Sequence, residues 1–228
     1  RGGGVINWDA AWIFVKYKQG QGTWQHVYVN PSGHSAPAGS LIEEGLLTPG
    51  SAHHVSTNPV VGVFLRRDAE GSGTFTANGV QLVWDYSGLG ISYNDISQVQ
   101  VFAIEMVYVN EGAYMLGSAG TEDNHFKTGS TNAPYPVTSE DAITISSTNL
   151  WATGNVEAAP LPASFPKGFR AFYCMKYEMS QQQYTDFLNT LTRTQQAARI
   201  ESPIGNTDSS TPFTYVMSGT SSLMRTNY

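Results

Sequence analysis

The chain contains little charge and a single cysteine. Asp, Glu, Lys and Arg make up only 13% of its 228 residues, well below the usual quarter. One cysteine, Cys174, cannot form an internal disulfide, which excludes a disulfide-stapled scaffold. A net charge of -6 without a Lys or Arg cluster argues against a nucleic-acid partner. No apolar run approaches the length of a membrane span.

Uncharged polar residues and aromatics replace the missing charge. Gly, Ser, Thr, Asn and Tyr supply much of the expected surface, and 12% of the residues are aromatic. This composition suits an extracellular or cell-surface protein that is rich in β structure. The chain starts at Arg1 without Met, so we expect a trimmed polypeptide, and removal of a signal peptide is one explanation.

The first hundred residues alternate apolar and polar positions with the period of a β-strand. In "AWIFVKYK", Ile13, Val15 and Tyr17 fall on one face of a predicted strand, with Trp12 and Phe14 on the other. Similar short segments follow, separated by turns rich in Gly, Pro and Asn. This pattern predicts an antiparallel β-sandwich-like module over residues 1–103.

The rest of the chain contains one clear helix. Ser180 stands three residues before Gln183, which is a capping-box pattern, and Tyr184, Phe187 and Leu188 then form an apolar stripe. A polar segment at 119–168 precedes the helix and is either a linker or a long ordered insertion. We therefore predict a mainly β fold with one clear helix.

Two blocks in the second half carry a resemblance to a known family. "MVYVNEGAYMLGS" (106–118) and "FYCMKYEMSQQQYTDFLN" (172–189) resemble, in order, the opening motifs of the sulfatase-modifying-factor, or formylglycine-generating-enzyme, family. The resemblance implies that residues 104–228 form the front half of that α+β domain. The motif residues with an expected structural role are Gly112, Gly117, Glu178, Ser180, Tyr184 and Phe187.

The resemblance also implies chemistry that this chain does not match. The family's enzymes hold copper and use a pair of cysteines late in the domain, whereas Cys174 lies early, on the strand before the helix. We expect Cys174 to be a small buried apolar side chain. Residues 1–103 resemble the N-terminal β module of exported Bacteroidota proteins that carry this domain, on "NWDAAWIFVKYK", "GTWQHVYV" and "GLLTPG".

The candidate site residues are aromatic or acidic. Trp8 and Trp151 lie beside loop residues and could bind a glycan or a protein partner. Glu122, Asp123 and Asn124 cluster oxygen ligands that calcium could use. No catalytic residue and no cofactor other than calcium is predicted.

These observations favour a non-catalytic exported or cell-surface protein that serves assembly, adhesion or ligand display. A protein partner or self-assembly is expected, because a partial domain exposes apolar surface. Two alternatives stay open: the front half of a formylglycine-generating-type oxidase, and a carbohydrate-binding module that uses exposed tryptophans.

Overall fold

The computed structural model describes residues 7–46, 60–152 and 159–199. Within these ranges the chain forms ten β-strands and two α-helices. The strands are β1 (Trp8–Gln19), β2 (Gln25–His26), β3 (Ser40–Leu46), β4 (Val60–Arg67), β5 (Ile96–Val109), β6 (Tyr114–Leu116), β7 (Phe126–Thr128), β8 (Tyr135–Val137), β9 (Leu150–Ala152) and β10 (Phe172–Met175). The helices are α1 (Gln181–Leu188) and α2 (Arg193–Ala197), and a single 3₁₀ turn (Tyr93–Asp95) precedes β5.

Six of the strands form one sheet in the order β10-β5-β1-β4-β3, with β2 paired to β1. The β1–β4, β3–β4 and β1–β2 pairs are antiparallel. Two further antiparallel pairs, β6–β8 and β7–β9, are separate two-stranded sheets. The predicted fold class, mainly β with antiparallel sheets and one clear helix, is confirmed, whereas the sandwich arrangement of the first module stays a prediction.

The chain divides into two compact units. Unit 1 consists of residues 1–8 and 107–174, and unit 2 consists of residues 9–106 and 175–228. The predicted boundary between residues 103 and 104 lies three residues before the end of the first part of unit 2. The helix region belongs to unit 2, together with most of the first hundred residues. The division into a module at 1–103 and a partial domain at 104–228 stays a prediction.

The core of unit 2 forms on the face of β1 that carries Ile13, Val15 and Tyr17, which the alternation of the sequence groups together. Tyr17 is buried and packs with Ile13 and Val15 against Val63 of β4. The buried side chains of this core are Tyr17, Val27, Val29, Val60 and Val63. Leu82, Trp84 and Ile91 pack against it from segments outside the named strands. Alternation therefore predicts the inward side chains even where regular strand pairing is interrupted.

The opposite face of the same sheet is aromatic and depends on two glycines. Trp12 packs against Phe64, with ring centroids 4.7 Å apart. Its ring lies over Gly62 of β4 and Gly45 of β3, which are paired across the two strands. A Cβ at Gly45 would stand 2.0 Å from Trp12 Cζ3, and one at Gly62 would stand 2.6 Å from the Ile13 carbonyl oxygen. Only glycine leaves room for the indole here.

Unit 1 has a small core of its own within the polar segment at 119–168. Val137, Ile143 and Leu150 are buried together, and Leu116 and Phe169 pack against them. The described part of the segment is thus an ordered insertion that carries three short strands, β7, β8 and β9. The apolar segment "AITIS" (142–146) pairs only through isolated bridges, from Ile143 to Leu161 and from Ile145 to Leu150.

The helix α1 begins where the capping pattern predicts. Ser180 is the N-cap: its Oγ accepts from the Gln183 backbone N–H at 3.2 Å, and Gln183 Oε1 accepts from the Ser180 N–H at 2.8 Å. Leu188 and Thr185 are buried, and α2 carries a second capping box at Thr192. In the described part of the chain, no helix is long and apolar enough to cross a membrane.

Gly45→Ala should destabilise the protein by about 1–3 kcal/mol, because the added methyl group overlaps the Trp12 ring. In a Trp12→Ala background most of this cost should disappear, since the next contact of that methyl, the Gly62 carbonyl oxygen, is 3.2 Å away. Denaturant unfolding of the four proteins in this double-mutant cycle measures the coupling. Gly71→Ala is the matched control and should be near neutral, because a Cβ there would make only ordinary contacts with the Arg67 side chain, at 3.7 Å or more. Additive costs would contradict the proposed overlap.

Ser180→Ala should lower the stability of α1 by about 0.5–2 kcal/mol, because the Gln183 N–H loses the side-chain oxygen that accepts its hydrogen bond. Amide hydrogen exchange over residues 184–188 measures this locally, even if the helix opens separately from the sheet. Ser180→Asp, which keeps an acceptor at the N-cap, should retain most of the protection. Equal loss in the Ala and Asp variants would show that the cap is not what holds the helix.

Candidate functional site

An apolar cleft of about 330 Å³ in unit 1 is the best-formed candidate site. Its walls combine aromatic and aliphatic side chains from the insertion. The aromatic wall residues are Tyr114, Phe126, Trp151 and Phe165, and the aliphatic ones include Leu116, Val137, Ile143, Ile145, Leu150 and Leu161. This volume lies at the lower end of the range of small-ligand sites. Trp151, which the sequence predicts to be a binding residue, therefore lines this apolar cleft.

Two short strands hold the aromatic wall in place. The β7–β9 register pairs Lys127 with Trp151, so that Phe126 and Trp151 lie on neighbouring strands. Gly117 has a φ of 113°, and a Cβ there would stand 2.0 Å from the Phe126 carbonyl oxygen. This close backbone approach requires glycine. Gly117 therefore has a structural role, as the sequence predicts, and that role is to let β7 pass beside the end of β6.

A buried lysine supplies the polar end of the cleft wall. Lys167 is 7% exposed, and its Nζ donates to the backbone oxygens of Glu140, at 3.2 Å, and Pro162. Its own carbonyl oxygen accepts from the Tyr114 hydroxyl at 2.5 Å. A buried ammonium group is stable only when it is hydrogen-bonded, and these contacts satisfy that requirement.

The Glu140 side chain organises the segment that carries Lys167. Its carboxylate accepts backbone N–H groups from Lys167 at 2.6 Å, Phe169 at 2.8 Å and Arg170 at 3.0 Å. Burial alone would raise the pKa of this carboxyl, but the three N–H donors and the Lys167 charge outweigh burial and lower the pKa. Glu140 thus stays ionised and holds the chain beside the cleft in one conformation.

The structure does not bring Trp8 to the cleft. The Trp8 indole stacks on Tyr108, with centroids 3.9 Å apart and an interplanar angle of 10°, and its Nε1 donates to the Tyr173 hydroxyl at 3.2 Å. Tyr108 and Tyr173 also meet edge to face at 5.1 Å. Trp8 thus belongs to an aromatic cluster in unit 1 that is separate from the cleft lining, and its role in binding stays a prediction.

The acidic loop at residues 122–124 is exposed. Hydrogen bonds from the Ser118 hydroxyl and from its own backbone N–H lower the pKa of Glu122, and Asn124 adopts a left-handed φ of 61°. Calcium takes six or more oxygens, and Glu122, Asp123 and Asn124 supply fewer than that. Among the described residues, no three His, Cys, Asp or Glu side chains lie together as metal ligands. Calcium binding here stays a prediction.

The remaining motif residues have structural contacts. Gly112 donates its N–H to the Phe169 oxygen at 2.9 Å. Tyr184 donates its hydroxyl to the Arg199 oxygen at 2.5 Å, and its ring is 6.0 Å from that of Phe187. Glu178 is exposed and borders a smaller hollow of about 160 Å³ in unit 2.

The expectation that Cys174 is buried is wrong. Its side chain is exposed, because β10 is the last strand of the sheet order and pairs on one side only among the described strands. The apolar residues around it in the sequence cannot reveal this position. An edge strand exposes part of an apolar segment that a central strand would bury.

Sequence reasoning missed most of the cleft. Phe126, Phe165 and Lys167 lie in Gly- and Pro-rich turns or in a three-residue strand, where no periodic signal marks a wall. Two signals were available: a large aromatic inside a polar loop region, and a lysine between Pro166 and Gly168 in a chain with few charges. Neither feature identifies a binding site until the structure shows which residues lie together.

Comparisons with protein-family models, with curated proteins and with solved structures found no match to this chain. The resemblance of its two motif blocks to the sulfatase-modifying-factor family therefore stays a prediction.

Glu140→Gln should destabilise unit 1 by about 1–3 kcal/mol at neutral pH, because a neutral amide replaces a charge-assisted acceptor of three N–H bonds. The folded pKa is lowered, so this stabilisation is present above the ordinary carboxyl value of 4.5 and is lost as the pH falls through the folded pKa. The stability difference between wild type and variant should therefore shrink on acidification.

Unfolding curves from pH 7 to pH 3 for the wild type, Glu140→Gln and the exposed Glu111→Gln control measure this difference. The control should follow the wild type throughout. A Glu140→Gln profile parallel to that of the wild type at every pH would rule out an ionised Glu140 as the stabilising group.

Proposed function

We propose that this chain is a non-catalytic binding protein of the cell surface or extracellular space, and that the unit 1 cleft binds an apolar group of its partner. The observation that carries this proposal is the convergence of Trp151, Phe126 and Phe165 on one hollow. Its role would be adhesion or ligand display, which the low charge content of the chain supports.

The exposure of the aromatic wall favours a ligand with an apolar body. Phe126 is 47% exposed and Phe165 is 53% exposed, so both rings leave apolar area in water that a ligand would cover. Burying such area contributes about 25 cal/mol per Å². Aromatic side chains in a concave pocket are also where protein interfaces concentrate their binding energy.

A protein side chain fits this lining better than a sugar does. Sugar recognition needs polar groups that can bond hydroxyls beside the aromatic platform. The polar groups of this wall, the Lys167 ammonium and the Tyr114 hydroxyl, already donate to backbone oxygens. We therefore propose that the occupant is an apolar side chain of a partner protein, and that a glycan is the alternative to be tested.

Trp151→Ala should weaken binding of an apolar probe at the cleft by about tenfold, the effect of losing one buried aromatic contact. Fluorescence titration with 8-anilinonaphthalene-1-sulfonate measures this directly. Trp24→Ala is the matched control, because Trp24 is a half-buried tryptophan of unit 2, and it should leave the titration unchanged. Equal binding by both variants would show that the dye does not occupy the cleft and would remove the proposed site.

A second measurement decides the class of ligand. The same variants are applied to an array of immobilised peptides with aliphatic or aromatic anchors and to a glycan array. Binding to apolar peptides that Trp151→Ala abolishes would support the proposal. Binding to glycans alone, lost in the same variant, would overturn the protein partner in favour of a carbohydrate-binding module.

A further inference from the structure

The longest strand of unit 2 has an edge that is only partly paired. β5 has 14 residues, whereas β10 has four. Lys176 donates its backbone N–H to the Glu105 oxygen at 3.0 Å, and Tyr173 meets Tyr108. Since position 176 lies beside 105 and position 173 beside 108, we infer that β10 is antiparallel to β5 and lies opposite residues 106–109. Residues 96–103 of β5 therefore have no strand partner on this edge within the described ranges, while β1 pairs with their other edge.

Two exposed valines stand beside this open edge. Val99 is 56% exposed and Val101 is 63% exposed. Side chains alternate between the faces of a strand, so these valines lie on the face opposite to Phe102, whose ring stacks on Phe14 at 4.8 Å. Phe14 and Val15 alternate along β1, so Val99 and Val101 share the face of the sheet on which Val15 and its neighbours form the core of unit 2. The apolar face of the sheet thus continues past its covered part onto β5.

The open edge also lacks the features that keep edge strands apart. Residues 96–104, "ISQVQVFAI", contain no charged residue and no proline. Natural edge strands normally carry lysines, prolines or bulges that prevent edge-to-edge pairing. A long uncharged edge beside exposed valines is therefore built for pairing with another strand.

We propose that a second copy of this chain occupies this edge, through antiparallel pairing of β5 with β5 about a two-fold axis. A two-fold contact places each residue opposite its own equivalent or a symmetric neighbour. Centred on Gln100, the pairing sets Val99 against Val101 of the second copy and leaves Gln100 facing itself. The alternation Val-Gln-Val is self-complementary in this register, and the paired span 96–104 contains no charged residue.

This inference does not depend on the proposed function, because the edge belongs to unit 2 and the cleft to unit 1. The pairing joins hydrogen-bonding groups along one strand edge and buries the two valines of each copy. Such a contact is small, so the dimer should form reversibly and its population should rise with protein concentration.

Sedimentation velocity of the full chain tests the proposal up to about 1 mM, where even weak association is measurable. A shift from the 24.7 kDa chain mass toward twice that mass is expected. Hydrogen exchange of the segment 97–103 should slow at the higher concentrations, because its outward N–H groups become paired. A protein that stays monomeric throughout would overturn the proposal.

Val101→Lys is the decisive variant, because each lysine lies opposite Val99 of the second copy and diagonally beside the other lysine, so that two like charges meet at the contact. It should weaken dimerisation at least about tenfold. Leu89→Lys, at a leucine of unit 2 that is 61% exposed, adds the same charge elsewhere and should leave the dimer intact. Val101→Thr keeps the β-branched shape without charge and should also dimerise.

Circular dichroism melting confirms that each variant is folded, and Val99→Lys serves as a second edge variant if Val101→Lys is not. A dimer that persists unchanged in the folded edge variant would place the contact on another surface and would overturn the β5 pairing. Dimerisation lost in the edge lysine variant but retained in Leu89→Lys and Val101→Thr would establish it.

Discussion

The sheet of unit 2 depends on one strand, β1, that packs apolar side chains on both of its faces. On one face, Tyr17 and its neighbours Ile13 and Val15 contact the valine core. On the other face, Trp12 and Phe14 pack against rings from β4 and β5. Apolar side chains on both faces are typical of a central strand, and β1 lies between β4 and β5. The glycines beneath Trp12 follow from this constraint, because an indole on a central strand needs flat backbone beside it.

Unit 1 is organised by polar contacts rather than by a large sheet. The strands β6, β7, β8 and β9 of this unit have only three residues each. Strand pairing alone therefore cannot position an aromatic wall. The Glu140 carboxylate accepts hydrogen bonds from the N–H groups of residues 167, 169 and 170. The Lys167 ammonium in turn donates to the backbone oxygens of Glu140 and Pro162. This exchange of hydrogen bonds closes the loop segment over the small core of Val137, Ile143 and Leu150. The cleft is therefore supported by side-chain-to-backbone bonds in a segment with little regular structure.

The two units differ in how much of them could be predicted. In unit 2 the inward side chains and the start of α1 follow from period-two alternation and from the spacing of Ser180 and Gln183, both of which are local signals. Of the residues that line the unit 1 cleft, the sequence predicts only Trp151 as a binding residue, from its neighbours in the sequence. Phe126, Phe165 and Lys167 were missed because they meet through contacts between residues 14 to 41 positions apart. The exposed Cys174 was missed for a related reason, since edge or central placement depends on which strands pair.

The sequence by itself determined the fold class, the division of the β1 side chains between two faces and the helix cap. Each of these depends on residues within a few positions of one another, where backbone geometry sets which side chains share a face or reach a neighbouring N–H. Only the tertiary structure decided the strand order, the cleft and the open edge of β5. These depend on which distant segments meet, and the free energy of those meetings is a sum over many weak contacts that no short motif records. A strand of Val and Gln reads the same whether its edge is paired or open, and only the four-residue length of its neighbour β10 leaves this edge open in the described part of the chain.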